Sequence, residues 1–523
     1  MRFFNTAGPV DCEDHYYIPP LERFDLEEVL FLIKQKKYFV LHAPRQTGKT
    51  SCLLALMEHL NRSGKYRSLY VNVEMAQTAR EDVETGIRTI LGEIGSRAKM
   101  FLNDAFPKQI WPDVLTQHGG GGALNEVLSL WAEKSPLPLV LLIDEIDALV
   151  GDTLISVLRQ LRAGYDKRPA RFPQNIVLCG VRDVRDYRIH SDRDKAIITG
   201  GSAFNVKAES LRVGDFSQKE VTALYQQHTE KTGQMFGEAS LGEVWRLTQG
   251  QPWLTNALGY EVCFGMKVNR DRSLPITPEM VLEAKENLIL RRDTHLDQLA
   301  DKLAEERVRR VVGPLLAGTE QPELIPPDDL AYVRDLGMIK TDGHIRIANP
   351  IYREVIPREL TLSTQLTITH ETAWYVSGTD GRLDMERLIS AFQEFFRQHS
   401  RSWEERFQYK EAGPQLLMQA FLQRILNSGG RVEREYGFGR KRTDLFVSWP
   451  CDGGMQKVVI ELKVRRNEAL ETITEEGLAQ TLAYMDECGT EQGHLLIFDR
   501  NETKTWEEKI FQRKEGSITV WGM

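Results

Sequence analysis

The stretch Tyr38–Cys52, YFVLHAPRQTGKTSC, decides the reading of the first half of this chain. An apolar run, Tyr38–Leu41, breaks at Pro44 into a short polar loop. Gly48-Lys49-Thr50 follows, and then the helical pattern Cys52–Met57. Strand, loop and helix thus enclose the spacing A-x-x-x-x-G-K-T, filled by Ala43, Pro44, Arg45, Gln46, Thr47, Gly48, Lys49 and Thr50. A phosphate cradle needs these parts. Backbone N–H groups curl round an anion and a helix N-terminus adds positive partial charge. The lysine reaches the terminal phosphates, and the threonine hydroxyl meets a magnesium ion. The first position, usually Gly, is Ala43, which takes positive φ less readily, so a slightly reshaped loop is expected.

At 523 residues the chain exceeds what one core can hold; its length suggests about three or four domains. A composition of 41% hydrophobic and 27% charged residues is that of a soluble globular protein. The net charge of −8 gives no support for a globally basic nucleic-acid binder and leaves only local basic patches for such contacts. Cys12, Cys52, Cys179, Cys263, Cys451 and Cys488 form no C-x-x-C pair, which argues against a disulfide framework or zinc site and fits a reducing cytoplasm. The N-terminus gains acids too early for a signal peptide, and no apolar run is long enough to cross a bilayer. A cytoplasmic protein without a membrane partner is expected.

Upstream of the loop, HYYIPPLER (His15–Arg23) precedes a short helix, Leu26–Gln35. Aromatics and prolines there suit a lid on a base or plain packing. Downstream, Ser68–Val73 reads as a strand, Ala79–Ala98 as a helix, and Gly119–Gly122 as a flexible loop before a helix at Ala123–Lys134. Pro138–Val150, PLVLLIDEIDALV, is a buried parallel strand ending in Asp144-Glu145. An aspartate there orders the magnesium water shell, and an adjacent glutamate acts as the base that polarises water. Asn175–Gly180 is a further buried strand. Arg182 at its tip faces a γ-phosphate or pairs with Asp183 or Asp186. Arg159 and Arg162 either reach a neighbouring subunit's nucleotide or form a solvated helix face.

From Ser217 the pattern turns helical, at Ser217–Thr232, Leu241–Thr248, Pro252–Gly265 and Pro278–Leu290, with Gly250-Gln251-Pro252 as a break. With APRQTGKT, LLIDEIDAL, NIVLCG with Arg182, this helical lid and the G-x-P, roughly residues 20–300 resemble the AAA+/STAND class of P-loop ATPases. The resemblance implies a parallel αβα sheet with a helical lid, ATP and Mg2+ as cofactors, and Pro252 sensing nucleotide from the lid side. Such ATPases commonly share sites between subunits, so a homo-oligomer is among the expectations.

Residues 304–360 read as a winged helix: helices at Glu305–Leu316 and Asp328–Leu336, then a hairpin turning at Asp342-Gly343. The second of these helices carries three aspartates and one arginine, a net negative charge that repels phosphate and favours a packing or regulatory role.

From Met385 the pattern restarts. Helices at 385–399 and Gly413–Asn427 precede strands at Arg431–Tyr436, Thr443–Val447 and Lys457–Leu462. A helix at Thr474–Glu487 and a strand at His494–Phe498 complete an αβββαβ order. Period two puts Glu461 and Lys463 on one face of a strand, where Asp444 meets them from the adjacent strand. Two carboxylates for magnesium beside one ammonium suit phosphodiester cleavage, with the lysine positioning or deprotonating the nucleophile.

This constellation resembles the PD-(D/E)xK nuclease superfamily over about residues 385–523, with Thr443 where proline is frequent. Gln480 and Tyr484 match the Q-x-x-x-Y of its RecB-like branch. The resemblance implies a metal held by Asp444, Glu461 and an early acid, for which Glu411 competes with Glu433 and Glu435. Arg440, Lys441, Arg442, Arg465 and Arg466 form a basic cluster suited to a phosphate backbone, most readily that of DNA.

The expected architecture is α/β and multidomain: an N-terminal segment (1–37), a P-loop core (38–212), a helical lid (213–303), a winged-helix-like module (304–360), a linker (361–384) and a restriction-endonuclease-like domain (385–523). The expected function is an ATPase regulator coupled to a Mg-dependent nuclease, in foreign-DNA defence or mobile-element biology. The alternative is a signalling or scaffold ATPase whose last domain binds nucleic acid or a partner without cutting.

Overall fold

The computed structural model describes residues 1–183, 188–191, 196–199, 203–291, 294–316, 325–357, 375–377, 380–406, 417–422, 430–436, 443–452, 454–465, 468–501 and 504–523. The chain divides into two compact units, Met1–Arg291 with Arg334–Ile339, and Arg292–Val333 with Lys340–Met523.

The first unit is built on five strands: β1 (Tyr38–His42), β2 (Arg67–Asn72), β3 (Leu139–Asp144), β4 (Asn175–Gly180) and β5 (Lys207–Arg212). They pair in parallel in the order β2-β3-β4-β1-β5. A parallel sheet is covered on both faces, so its strands read as unbroken apolar runs rather than alternating ones. Alternation decides only which side each residue serves. Tyr38 and Val40 join one core, Phe39 and Leu41 the other. Each such buried side chain contributes roughly 2 kcal/mol of transfer free energy. One face carries α1 (Leu26–Lys34) and α2 (Lys49–Arg62). The other carries α3 (Val83–Leu102), α4 (Phe106–Lys134) and α5 (Gly151–Ala163).

The glycine run departs from the flexible loop expected for it. Helix runs through it, with one break at Gly119 (φ 60°, ψ 179°). Gly120 meets the start of α3 so closely that a Cβ there would lie 2.8 Å from the Glu84 Cα. The Gln160 side chain donates to the Gly120 carbonyl at 2.8 Å and locks the junction. The missing side chains serve a close helix crossing, not mobility.

The lid comprises α6 (Gln218–Thr232), α7 (Glu238–Thr248), α8 (Pro252–Tyr260) and α9 (Pro278–Arg291). Ser217 and Glu220 form a reciprocal capping box at the start of α6. Phe4, from a short N-terminal strand, is buried against Tyr16 and Tyr225, so this segment belongs to the same body.

After the lid, helices lie at Thr294–Leu303, Glu306–Leu316 and Pro327–Asp335, and Ile339–Lys340 pairs with Arg346–Ile347. Residues 361–374 of the expected linker lie outside the described residues. So does most of the helix expected at 413–427, of which residues 417–422 are helical.

The second unit holds a six-stranded sheet of β6 (Arg431–Tyr436), β7 (Thr443–Cys451), β8 (Gly454–Arg465), β9 (Gly493–Asp499), β10 (Phe511–Glu515) and β11 (Ile518–Gly522). Its order is β6-β7-β8-β9-β11-β10, antiparallel through β6, β7 and β8 and parallel through β8, β9 and β11. The helix α10 (Leu470–Cys488) covers one face. The terminal hairpin β10–β11 adds two strands that the sequence pattern had not suggested.

Candidate functional site

The loop after β1 is tied in at both ends. The Ala43 N–H donates to the Gly180 carbonyl at 3.2 Å, and α2 starts at Lys49. The reshaping expected from Ala43 does not occur. Gln46 (φ 57°) and Gly48 (φ 90°) take the left-handed conformations, whereas Ala43 is not among the positive-φ residues and buries its methyl in the core. Thr47 donates its hydroxyl to the Pro44 carbonyl at 2.8 Å. Arg45 and Gln46 are exposed at the loop's crest. The Lys49 ammonium is buried and folded back on the loop, donating to the Ala43 and Pro44 carbonyls at 3.0 Å each.

The acidic strand end lies opposite. Thr50 donates to Asp144 Oδ2 at 2.7 Å, joining loop and strand at the point where magnesium would sit. A hydroxyl and a carboxylate converging there are the oxygen donors that a hard cation takes, and so they fit it. Glu145 adopts φ 56°, with its N–H donating to Asp144 Oδ1 at 2.9 Å. Burial raises the Glu145 carboxyl above its ordinary pKa against the pull of Lys49, a direction that suits a base.

Arg182 follows β4 and is half-buried. Asp183 is buried and engaged by Lys207 at 2.5 Å. Asp186 lies outside the described residues, and Arg159 and Arg162 are exposed on α5. Pro252 opens α8 and is preceded by Gly250 at φ 77°; the Gln251 side chain caps the Leu254 N–H.

A cavity lies between the N-terminal segment, the loop at Gln46–Gly48 and the start of α8. Tyr17 and Ile18 line it beside Gly48, Ser51, Pro252 and Trp253. The N-terminal segment wraps it: the Val10 N–H donates to Ser51 Oγ at 3.0 Å, and Trp253 donates to the Thr6 carbonyl at 2.9 Å. Of HYYIPPLER, Tyr16 is buried in the core and also lines the cavity with Tyr17 and Ile18.

Arg23 was not singled out by sequence. It donates to the Thr47 carbonyl at 3.2 Å and the Gly214 carbonyl at 2.5 Å, and lies 4.3 Å from the Phe216 ring centroid. Burial lowers its pKa. An arginine in PPLER carries no local signal of this role, because its partners come from the loop and the lid.

In the second unit, β7 and β8 bring Asp444, Glu461 and Lys463 together. Asp444 Oδ2 accepts the Leu462 N–H at 2.8 Å, and Lys463 Nζ stands 3.2 Å from Glu461 Oε1. Lys463 also donates to the Gln480 amide oxygen from α10. Tyr484, one turn on, packs partly buried against the core. Glu461 is 4% exposed, and its buried Oε2 has no hydrogen-bond partner among the described residues. Burial first, and Asp444 second, push its carboxyl up to about 8. An orphaned carboxylate oxygen beside a second carboxylate fits a divalent cation.

Among the described residues, no group of three His, Cys, Asp or Glu side chains gathers to hold a metal. Glu411, Arg440, Lys441, Arg442 and Arg466 lie outside the described residues, as do the side chains of Glu433 and Glu435. Arg465, placed by sequence in the phosphate-binding cluster, instead pairs with Asp499 at 2.8 Å.

A parallel αβα sheet with a glycine-lysine-threonine loop facing an aspartate defines a P-loop nucleotide-binding domain. Residues 33–187 match the family model described as AAA domain. Several solved structures are similar. The Walker-type ATPase PABY2304 of Pyrococcus abyssi is 17% identical over 68% of this chain and 99% of its own, with a TM-score of 0.46. Cdc6p of Pyrobaculum aerophilum is 14% identical over 66% and 95%, with a TM-score of 0.38. A variant of RuvB from Thermotoga maritima is 12% identical over 65% and 98%, with a TM-score of 0.34. At such scores the assignment rests on the family match and the loop geometry alone. No curated protein matches the chain, and among the described residues no helix is long and apolar enough to cross a membrane.

Proposed function

We propose that this protein is an ATP-binding and ATP-hydrolysing regulator coupled to a metal-dependent nuclease that cuts phosphodiester bonds, most readily in DNA. In the first unit, Lys49 swings from the Ala43 and Pro44 carbonyls to the terminal phosphates, and Glu145 takes the proton of the attacking water. Asp144 and Thr50 would hold magnesium, Arg182 would read the γ-phosphate, and Pro252 would read the nucleotide from the lid. Lysine, arginine and carboxylate act here by positioning and charge, the main resources of phosphoryl transfer.

For the second unit, the observation that carries the reading is Glu461, a buried carboxylate with one oxygen on Lys463 and the other unpartnered. Asp444 and Glu461, with Glu411 as a further acid, would hold magnesium. The ion would supply an activated water and neutralise the developing oxyanion. Lys463, steadied by Gln480, orients the nucleophile, and Tyr484 supports that helix face. A role in foreign-DNA defence or mobile-element biology suits a cutter under nucleotide control. The test is cleavage of a panel of DNA and RNA forms with and without ATP. Magnesium-dependent cutting that changes with ATP supports the account, and no cutting of any form refutes the nuclease.

The second reading is a signalling or scaffold ATPase whose last domain binds without cutting. Binding of DNA or RNA without magnesium-dependent cleavage would decide for it.

A further inference from the structure

Asp144 is held by more than the loop. It is fully buried, and its Oδ2 receives two hydroxyls, Thr50 at 2.7 Å and Tyr70 at 3.0 Å. Tyr70 comes from β2, whose residues 70 and 72 stand opposite Leu142 and Asp144 of β3. The phenol therefore reaches its carboxylate along the diagonal of adjacent strands, a distance that only a long side chain spans. The ring is 3% exposed, and the Arg97 guanidinium of α3 covers it 4.8 Å from the ring centroid.

Thr50 and Tyr70 are not equivalent donors. The threonine hydroxyl is the one that phosphate-loop chemistry draws to a divalent cation. Once it turns, Asp144 Oδ2 loses that partner, while Oδ1 keeps the Glu145 N–H. Tyr70 remains on the other side. We propose that Tyr70 is a positioning residue, whose hydroxyl fixes Asp144 toward Thr50 and the divalent cation that accompanies the nucleotide. The inference rests on the ATP-site reading above. It also links that site, through the Arg97 contact, to the helical pair α3–α4.

Tyr70→Phe removes one oxygen and keeps the ring and its cation. The full-length protein is titrated with a fluorescent ADP in magnesium and again in chelator, and ATPase rate is followed against magnesium concentration. We expect metal-free nucleotide affinity to stay within about twofold of wild type. The magnesium concentration at half-effect should rise about tenfold, as when a carboxylate ligand loses its supporting hydrogen bond. Unchanged magnesium dependence, with or without a lower melting temperature, would assign the hydroxyl to packing and overturn the proposal. So would a variant that no longer folds. A wild type that binds no nucleotide in magnesium would instead remove the ATP reading itself.

Discussion

The Glu461 carboxylate places one oxygen 3.2 Å from the Lys463 ammonium while its other oxygen is buried without a hydrogen-bond partner among the described residues. The pair is half a site. An ammonium on one side offsets part of the desolvation cost, and the second oxygen points to a charge that arrives from outside. Glutamate and lysine two apart on a strand are often only a solvated ion pair. Burial separates this pair from that ordinary case.

Its pH dependence follows. Folding raises the Glu461 pKa from 4.5 to about 8. The folded state thus holds a proton that the unfolded chain releases. That stability is fully present below the unfolded value and is lost as pH rises through about 8. Glu461→Gln keeps an oxygen for Lys463 and removes the buried charge. In chelator at pH 8.5 the variant should melt above wild type, by about 2–4 °C, and the gap should close toward pH 5. An equal gap at both pH values would contradict the raised pKa.

For the nucleotide site, Lys49→Ala should cut ATP turnover by about 10²-fold or more, since it removes the one ammonium on the loop. Glu145→Gln should retain bound ATP while hydrolysis falls by roughly 10²–10⁴-fold, the contribution of a general base. Turnover at the wild-type rate in both variants would refute the assignment.

Gly250 offers a test of the lid. It sits at φ 77°, and a Cβ there would lie 1.9 Å from the Phe216 carbonyl oxygen. The same turn holds Phe216 by its N–H to the Gly250 carbonyl at 2.8 Å. Gly250→Ala should cost about 3 kcal/mol or more, from backbone strain and overlap together. A melting temperature within one degree of wild type, a change of about 0.6 kcal/mol or less, would show that the turn adapts.

Much of the first unit was legible because its signals are local. A strand, a loop and a helix within fifteen residues name a phosphate cradle, and LVLLID declares a buried strand ending in an acid. What was missed depends on distant partners. Arg23 and Tyr70 look ordinary in sequence and gain meaning only through Thr47 and Asp144. The glycine run looked like a loop because composition cannot reveal the backbone of α3, which a Cβ on Gly120 would meet at 2.8 Å. In the second unit, the hairpin β10–β11 escaped notice because FQRKE is a charged edge strand without apolar alternation. The Gly516 turn at φ 62° was its only local sign. The pairing of Arg465 with Asp499 was not legible for a similar reason, since Asp499 lies on the neighbouring strand, 34 positions later.

The central claim is that bonds are cut at Asp444, Glu461 and Lys463. The most direct measurement is nicking of supercoiled plasmid by the full-length protein in magnesium, wild type against Asp444→Ala. The account predicts nicked product from wild type and none from the variant, whose Leu462 N–H has lost its carboxylate. Equal nicking by both, or no cleavage by wild type with or without ATP, would contradict it.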